Sequence, residues 1–136
     1  MAKSKLIDVY MAGYFDGEGC VGVYHRVDHG ERRYWRVTAT VRSTYKKIVF
    51  DLQEAYGGWS GPAQRGPLSK QDQWQWQING NKSTLPFLRR VLPYLREKRP
   101  QAKAAIAFIG GKLSGPAANR ILTRLKHRNA ALRRKI

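Results

Sequence analysis

Within Tyr10-Met-Ala-Gly-Tyr-Phe-Asp-Gly-Glu-Gly19 the hydrophobic period of the chain changes. Up to this point Ile7, Tyr10, Met11, Tyr14 and Phe15 recur at helical spacings, which predicts a helix over 5–16. Beyond it Val21, Val23, His25 and Val27 alternate with Cys20, Gly22, Tyr24, Arg26 and Asp28, the period of a strand. A helix that gives way to a strand through Gly-Glu-Gly begins an α+β order. The junction also carries a chemical tension. Glu18 lies at a glycine-framed helix end, where the helix dipole disfavours a carboxylate. A bound divalent cation is the simplest compensation.

The alternation continues after a turn near His29-Gly-Glu31. Trp35, Val37, Ala39 and Val41 oppose Tyr34, Arg36, Thr38, Thr40 and Arg42, so two strands form a hairpin with one apolar and one polar face. Ser43-Thr44 can cap a helix running to Tyr56, which Gly57-Gly58 stop. Residues 59–66 are broken by Gly61 and Pro62 and suit an edge strand. In 73–79, Trp74, Trp76 and Ile78 oppose Gln73, Gln75 and Gln77. Three helical segments follow. One starts near Ser83 with Pro86 in its first turn, one covers 102–109, and a basic amphipathic one covers 116–133. Gly13 and Gly17 give a spacing at which two helix backbones can approach closely.

The length of 136 residues implies one domain, 1–136, with a core over about 5–110 and a basic helical extension over about 111–136. The lone Cys20 has no intramolecular partner, which fits a reducing, intracellular compartment, cytoplasmic or organellar. The N-terminal apolar stretch is broken by Asp8 and Asp16, unlike a signal peptide, and no apolar run reaches membrane-spanning length. The chain carries 26 Lys+Arg against 9 Asp+Glu, a net charge of +17. Residues 89–136 hold most of that excess, with Glu97 their one acid. This asymmetry points to a polyanion, nucleic acid before membrane surface.

Met11-Ala-Gly-Tyr-Phe-Asp-Gly-Glu-Gly19 resembles the nonapeptide that names the LAGLIDADG homing endonucleases. Ala12, Gly13, Asp16 and Gly19 match letter for letter, and Glu18 replaces Asp. Leu95-Arg-Glu-Lys-Arg-Pro-Gln-Ala102 resembles a second family segment, Leu-x-x-Lys-x-x-Gln-Ala; Tyr-Gly-Gly at 56–58 and Trp-Gln-Ile-x-Gly at 76–80 fit as well. The resemblance implies an αββαββα fold whose saddle-shaped antiparallel sheet lies in the DNA major groove, with extra C-terminal helices. It implies a metal-dependent double-stranded DNA endonuclease of the kind used in intron homing. With one motif per chain, it also implies a homodimer on a long pseudo-palindromic target.

The site residues follow from that resemblance and from the strand pattern. Glu18 and the carbonyl of Gly17 are the expected ligands of Mg²⁺, which Mn²⁺ or Ca²⁺ can replace. Lys98 is expected to stabilise charge on the phosphate. Ser43 either orders water at the site or caps the following helix. Lys46 and Lys47 stand where some relatives carry basic residues near the cleavage pocket, and Lys47 is taken as catalytic. The DNA-facing set is Tyr24, Arg26, Asp28, Arg32, Tyr34, Arg36, Thr38, Thr40, Arg42, Arg65, Gln73, Gln75 and Gln77. Glutamine can pair bidentately with adenine. Tyr10, Ala12, Gly13 and Asp16 are expected at the dimer contact, although Asp16 also suits a structural role at the helix end. His25, Trp59, Trp74 and Trp76 are expected in the core. Two other functions share parts of this pattern. One is a cleavage-inactive RNA maturase or DNA-binding regulator on the same scaffold. The other is a basic structural RNA-binding protein, which would not need the Gly-Glu-Gly helix end.

Overall fold

A computed structural model describes residues 3–64 and 72–134 of the chain. The elements are α1 (Lys3–Glu18), β1 (Gly19–Val27), β2 (Arg33–Ser43), α2 (Lys46–Tyr56), β3 (Trp59–Ala63), β4 (Gln73–Asn79), α3 (Asn81–Val91), a 3-10 turn (Leu92–Tyr94), α4 (Arg99–Ile109) and α5 (Gly115–Arg134). This is the expected α+β order. The four strands form one antiparallel sheet in the order β1-β2-β4-β3.

The strand period decides which face meets the helices. Val21, Val23, Val37, Ala39, Val41, Trp76 and Ile78 are buried on one side, against Met11, Ala12 and Phe15 of α1, Leu52 of α2, and Phe87 and Leu88 of α3. Phe87 is the aromatic hub of this core. Its ring meets Tyr56, Trp76 and Phe15 edge-on, with centroids 4.8, 5.0 and 5.3 Å apart. Each such pair adds about 0.5–1.5 kcal/mol beyond area burial. The break after α2 requires glycine. Gly58 has φ +91, and a Cβ there would lie 2.5 Å from the Gln77 carbonyl. Gly57 in turn accepts a hydrogen bond from Trp76 Nε1 at 2.8 Å, locking the turn to β4.

Several local expectations are corrected. α2 starts at Lys46 with Tyr45 as its N-cap residue, so neither Ser43 nor Thr44 caps it. Ser43 shapes the turn before it by accepting the Tyr45 N–H at 3.0 Å. α3 starts at Asn81, so Pro86 stands inside the helix and not in its first turn. His25 is exposed. It follows Val21 and Val23 on the apolar side but lies beyond the covering helices, against the edge of Trp35 at 5.3 Å. Trp59 is 52% exposed, on the opposite face of the sheet from Trp76, because its partner in register is Gln77. Its ring lies over Gly61, where a Cβ would strike it.

Candidate nucleic-acid interface and active-site end

The polar side of the sheet is built by the same register that builds the core. Arg26 pairs with Tyr34, Tyr24 with Arg36, Thr38 with Asn79, Thr40 with Gln77, and Arg42 with Gln75. The sheet therefore carries basic, hydroxyl and amide side chains together on the face away from the helices. Arg26 stacks on Tyr24, its guanidinium carbon 5.4 Å from the ring centroid. The Tyr24 ring folds over Gly22, where a Cβ would collide with it. Burial, and then Cys20, push the Tyr24 phenol above its ordinary value. Arg36 is half-buried, and its Nε has no partner.

Along β4 the amides are not independent. Arg42 Nε donates to Gln75 Oε1 at 3.0 Å, and Gln75 Nε2 donates to Gln77 Oε1 at 2.8 Å. Gln77 Nε2 donates to Asn79 Oδ1 at 3.0 Å, and Thr38 Oγ1 donates to the same oxygen at 2.8 Å. Asn79 was missed by the sequence reading, although it continues the Gln73-Gln75-Gln77 stripe at the strand period. Thr38 is buried and engaged in this chain of bonds, so it lies beneath the polar face and not at its surface. Asp28 is exposed but engaged within its own turn. Its Oδ1 accepts the N–H groups of Gly30 (3.0 Å) and Arg32 (2.8 Å), which builds the hairpin turn. Arg32 is exposed on that turn, Thr40 and Gln73 are half-buried on the polar face, and Arg65 lies outside the described residues.

The end of α1 is held by a reciprocal clamp. Asp16 accepts the backbone N–H groups of Arg96 and Lys98 through its two carboxylate oxygens, each at 2.8 Å. Lys98 returns its Nζ to the Asp16 carbonyl at 2.9 Å. The ammonium thus compensates the negative end of the helix dipole. Asp16 is therefore engaged within its own chain, in the structural role that also suits it. Glu18, one turn-fragment further, is exposed and has no partner among the described residues. Gly19 pairs with Val41. The backbone at Glu18 accordingly lies beside the strand end that carries Arg42 and Ser43.

The donor chemistry here fits a hard divalent ion in part. Glu18 offers a free carboxylate, and the Gly17 carbonyl belongs to the same helix end, both oxygen ligands. No group of three His, Cys, Asp or Glu gathers among the described residues. One copy of the chain would thus supply a fraction of a coordination shell and leave the rest to water, phosphate oxygens or a second copy.

Two other expected site residues are engaged elsewhere. Ser43 Oγ is 2.6 Å from the Tyr14 hydroxyl, which ties the end of β2 to α1. Lys47 Nζ donates to both carboxylate oxygens of Asp51 on the exposed side of α2, at 3.0 and 3.1 Å. That hydrogen bond raises the Lys47 pKa. Neither observation brings Lys47 to Glu18. Lys46 lies over Trp74, 4.5 Å from its ring centroid.

The outer face of α1 is apolar and uncovered. Leu6 is 55% exposed and Tyr10 58%, with Ile7 and Val9 beside them. Leu6, Tyr10, Gly13 and Gly17 follow one another at spacings of four and three, and open space surrounds the Cβ positions of both glycines. Ala12, expected on this face, is fully buried in the core of its own chain because it lies on the side of Met11 and Phe15. On the far side of β1 a cavity of about 420 Å³ separates the strand from α5. It is lined by Lys98, Gln101, Asn119 and Lys126 among others. Asn119 Nδ2 crosses to the Val23 carbonyl at 2.9 Å, so α5 covers the free edge of the sheet. No helix among the described residues is long and apolar enough to cross a membrane.

No protein-family model matches the chain. The DNA endonuclease I-CvuI of Chlorella vulgaris is 29% identical over 104 residues, which are 74% of this chain. The match spans 62% of that relative's length. A crystal structure of I-CvuI, with target DNA not cleaved in the presence of 2 mM Mg, superposes with a TM-score of 0.69 at 22% identity, covering 90% of this chain and 82% of that one. An archaeal intron-encoded homing endonuclease, I-Vdi141I, complexed with DNA, gives 0.68 at 12% identity over 92% and 85%. The LAGLIDADG homing endonuclease I-GzeII in complex with its DNA target gives 0.60 at 12% identity, over 87% of this chain and 42% of that one.

Proposed function

We propose, from the premise that this chain is a relative of the single-motif LAGLIDADG homing endonucleases and shares their fold, that it is a site-specific double-stranded DNA endonuclease. It acts as a homodimer, with Mg²⁺, on a long pseudo-palindromic target. The observation that carries this reading is the state of Glu18. In a chain of net charge +17, one carboxylate is left exposed and unpartnered at the end of a clamped helix. A protein that only binds nucleic acid has no use for a carboxylate aimed at phosphate, so this favours the nuclease over a maturase or regulator.

The chain's own residues have distinct tasks. The exposed face of α1 supports a helix-to-helix dimer, with Gly13 and Gly17 allowing close approach and Tyr10 filling the contact. Dimerisation brings two Glu18 carboxylates to the centre of the assembly. Glu18 and the Gly17 carbonyl would hold the divalent ion, which when bound supplies an activated water and a counter-charge for the phosphate. Lys98, fixed by Asp16, contributes a further positive point charge at that end. The polar face of β1, β2 and β4 reads the groove, and the C-terminal excess of positive charge favours the backbone.

The test is selection of cleaved sequences from a randomised duplex library, with Mg²⁺ and with EDTA. A two-fold symmetric consensus cut only with Mg²⁺ is expected. Tyr10→Glu should convert the dimer to monomer by sedimentation and abolish double-strand cutting. Metal-independent cutting, or full cutting by a monomer, would overturn the proposal.

A further inference from the structure

The hydrogen-bonded row Arg42–Gln75–Gln77–Asn79–Thr38 has a direction, and only one of its five members can set it. Each amide is nearly the same shape with its oxygen and nitrogen exchanged, and a threonine hydroxyl can donate or accept. Four members therefore tolerate either polarity. Arg42 does not, because a guanidinium is a donor only. Its Nε requires the Gln75 oxygen, at 3.0 Å. Gln75 must then turn its NH₂ to Gln77, which must present its oxygen, and so on to Asn79. At Asn79 the oxygen receives two donors, Gln77 Nε2 and Thr38 Oγ1. Its own NH₂ is left for whatever lies over the sheet. Reversal of the row would exchange these roles, with the Asn79 NH₂ turned inward to Gln77 and Thr38 and its oxygen turned outward.

We propose that Arg42 is a positioning residue for base recognition at a distance: it locks the polarity of this row and so determines that Asn79 presents donors to the groove. The proposal rests on the nuclease reading above. Its consequence is chemical. Donors at Asn79 match the major-groove acceptors of guanine (O6, N7) or the thymine O4, whereas an outward oxygen matches the amino group of cytosine or adenine. Bonds in a row also polarise one another, which makes the alternatives discrete and disfavours mixed arrangements.

Profiles of preferred sequence, read by cleavage and by binding selection, test this. Asn79→Ala first defines the base pair served by Asn79. Arg42→Lys keeps a donor and should leave preference at that pair within about twofold of wild type. Arg42→Glu supplies an acceptor. It should shift preference there from guanine or thymine toward cytosine or adenine, by about fivefold or more given the usual discrimination of a good base contact. In the Asn79→Ala background the same change should have no further effect at that pair. Arg42→Gln, which can take either part, should make the position degenerate, and it serves as the second variant if Arg42→Glu fails to fold. The proposal is overturned if Arg42→Glu alters only other base pairs, or if its effect at this one persists without Asn79. A wild-type protein with a clear profile but no such coupling sinks the polarity lock alone. A wild type that neither binds nor cuts any duplex takes the nuclease reading down with it.

Discussion

Three of the nine acidic residues lie in α1, and they meet opposite fates. Asp8 is buried between α2 and α3. Tyr56 donates to it at 2.8 Å, Arg90 contacts it through Nη2 at 3.0 Å, and Arg90 lies over the Tyr56 ring. Asp16 accepts two backbone N–H groups. Glu18, two residues on, has no such partner. Within one helix, two carboxylates are consumed by the fold and the third is held open by it. The fold could have neutralised Glu18 from its abundant Lys and Arg. The exposed Glu31 carboxylate of the hairpin turn is likewise unpaired among the described residues, so it is the place of Glu18, at a clamped helix end, that supports the proposed site.

The comparison gives opposite expectations for stability and activity. Glu18→Gln removes a charge that the fold does not use. Cleavage should fall roughly 10²–10³-fold, as when one charge-stabilising group is lost from a hydrolytic site. Duplex binding and the urea midpoint should stay near wild type. A destabilised Glu18→Gln would show that this carboxylate too is structural. Asp8→Ala should do the reverse. It leaves Arg90 and the Tyr56 hydroxyl without their acceptor. The half-exposed Arg90 can recover some water, so the loss should be about 2–3 kcal/mol by urea unfolding, below the range for a fully buried pair. The sequence preference of the surviving activity should not change. Asp16→Ala should combine the two in milder form, costing about 1–2 kcal/mol for two unpaired N–H groups. Cleavage should drop by about tenfold because the Lys98 backbone loses its carboxylate anchor, while its Nζ keeps only the Asp16 carbonyl. If cleavage were unaffected while stability fell, the Asp16 carboxylate would have no part in placing Lys98.

Much of the architecture was legible because periodicity is local. The change of period across Gly-Glu-Gly, the apolar stripes and the glutamine row all report on neighbours within a few residues. Asn79 was legible by the same rule and was overlooked. The Asp8–Arg90 pair was not legible, because its members are 82 residues apart and each looks like an ordinary surface charge. Ala12 and Tyr10 show a second limit. A stripe tells which residues share a face, but which face meets the chain's own sheet depends on where α3 packs. Trp59 shows a third. An aromatic near Gly-Gly reads as core, yet register with Gln77 carries it to the polar side. Ser43 and Lys47 were placed by resemblance, which carries no information on their hydrogen bonds to Tyr14 and Asp51.

The smallest effect sharpens the structural half of the comparison. Burial first, and then the hydrogen bond to Asp8, raise the Tyr56 pKa well above that of a free tyrosine. The unfolded chain therefore deprotonates this phenol first, near pH 10. Below that pH both states hold the proton, and the contribution to stability is fully present. As pH rises from about 10 toward the higher folded-state value, the unfolded state binds fewer protons than the native one, so stability falls. Tyr56→Phe cannot titrate. At pH 8 it should be less stable than wild type by about 1 kcal/mol, for the lost hydrogen bond. The gap should narrow as pH passes 10, since only the wild type loses stability there through this group. Urea unfolding of both proteins at pH 8, 9.5 and 11 measures it. A gap that stays constant across this range would mean that Tyr56 does not hold its proton against Asp8, and the contrast between a sealed acid and an open one in α1 would lose its buried half.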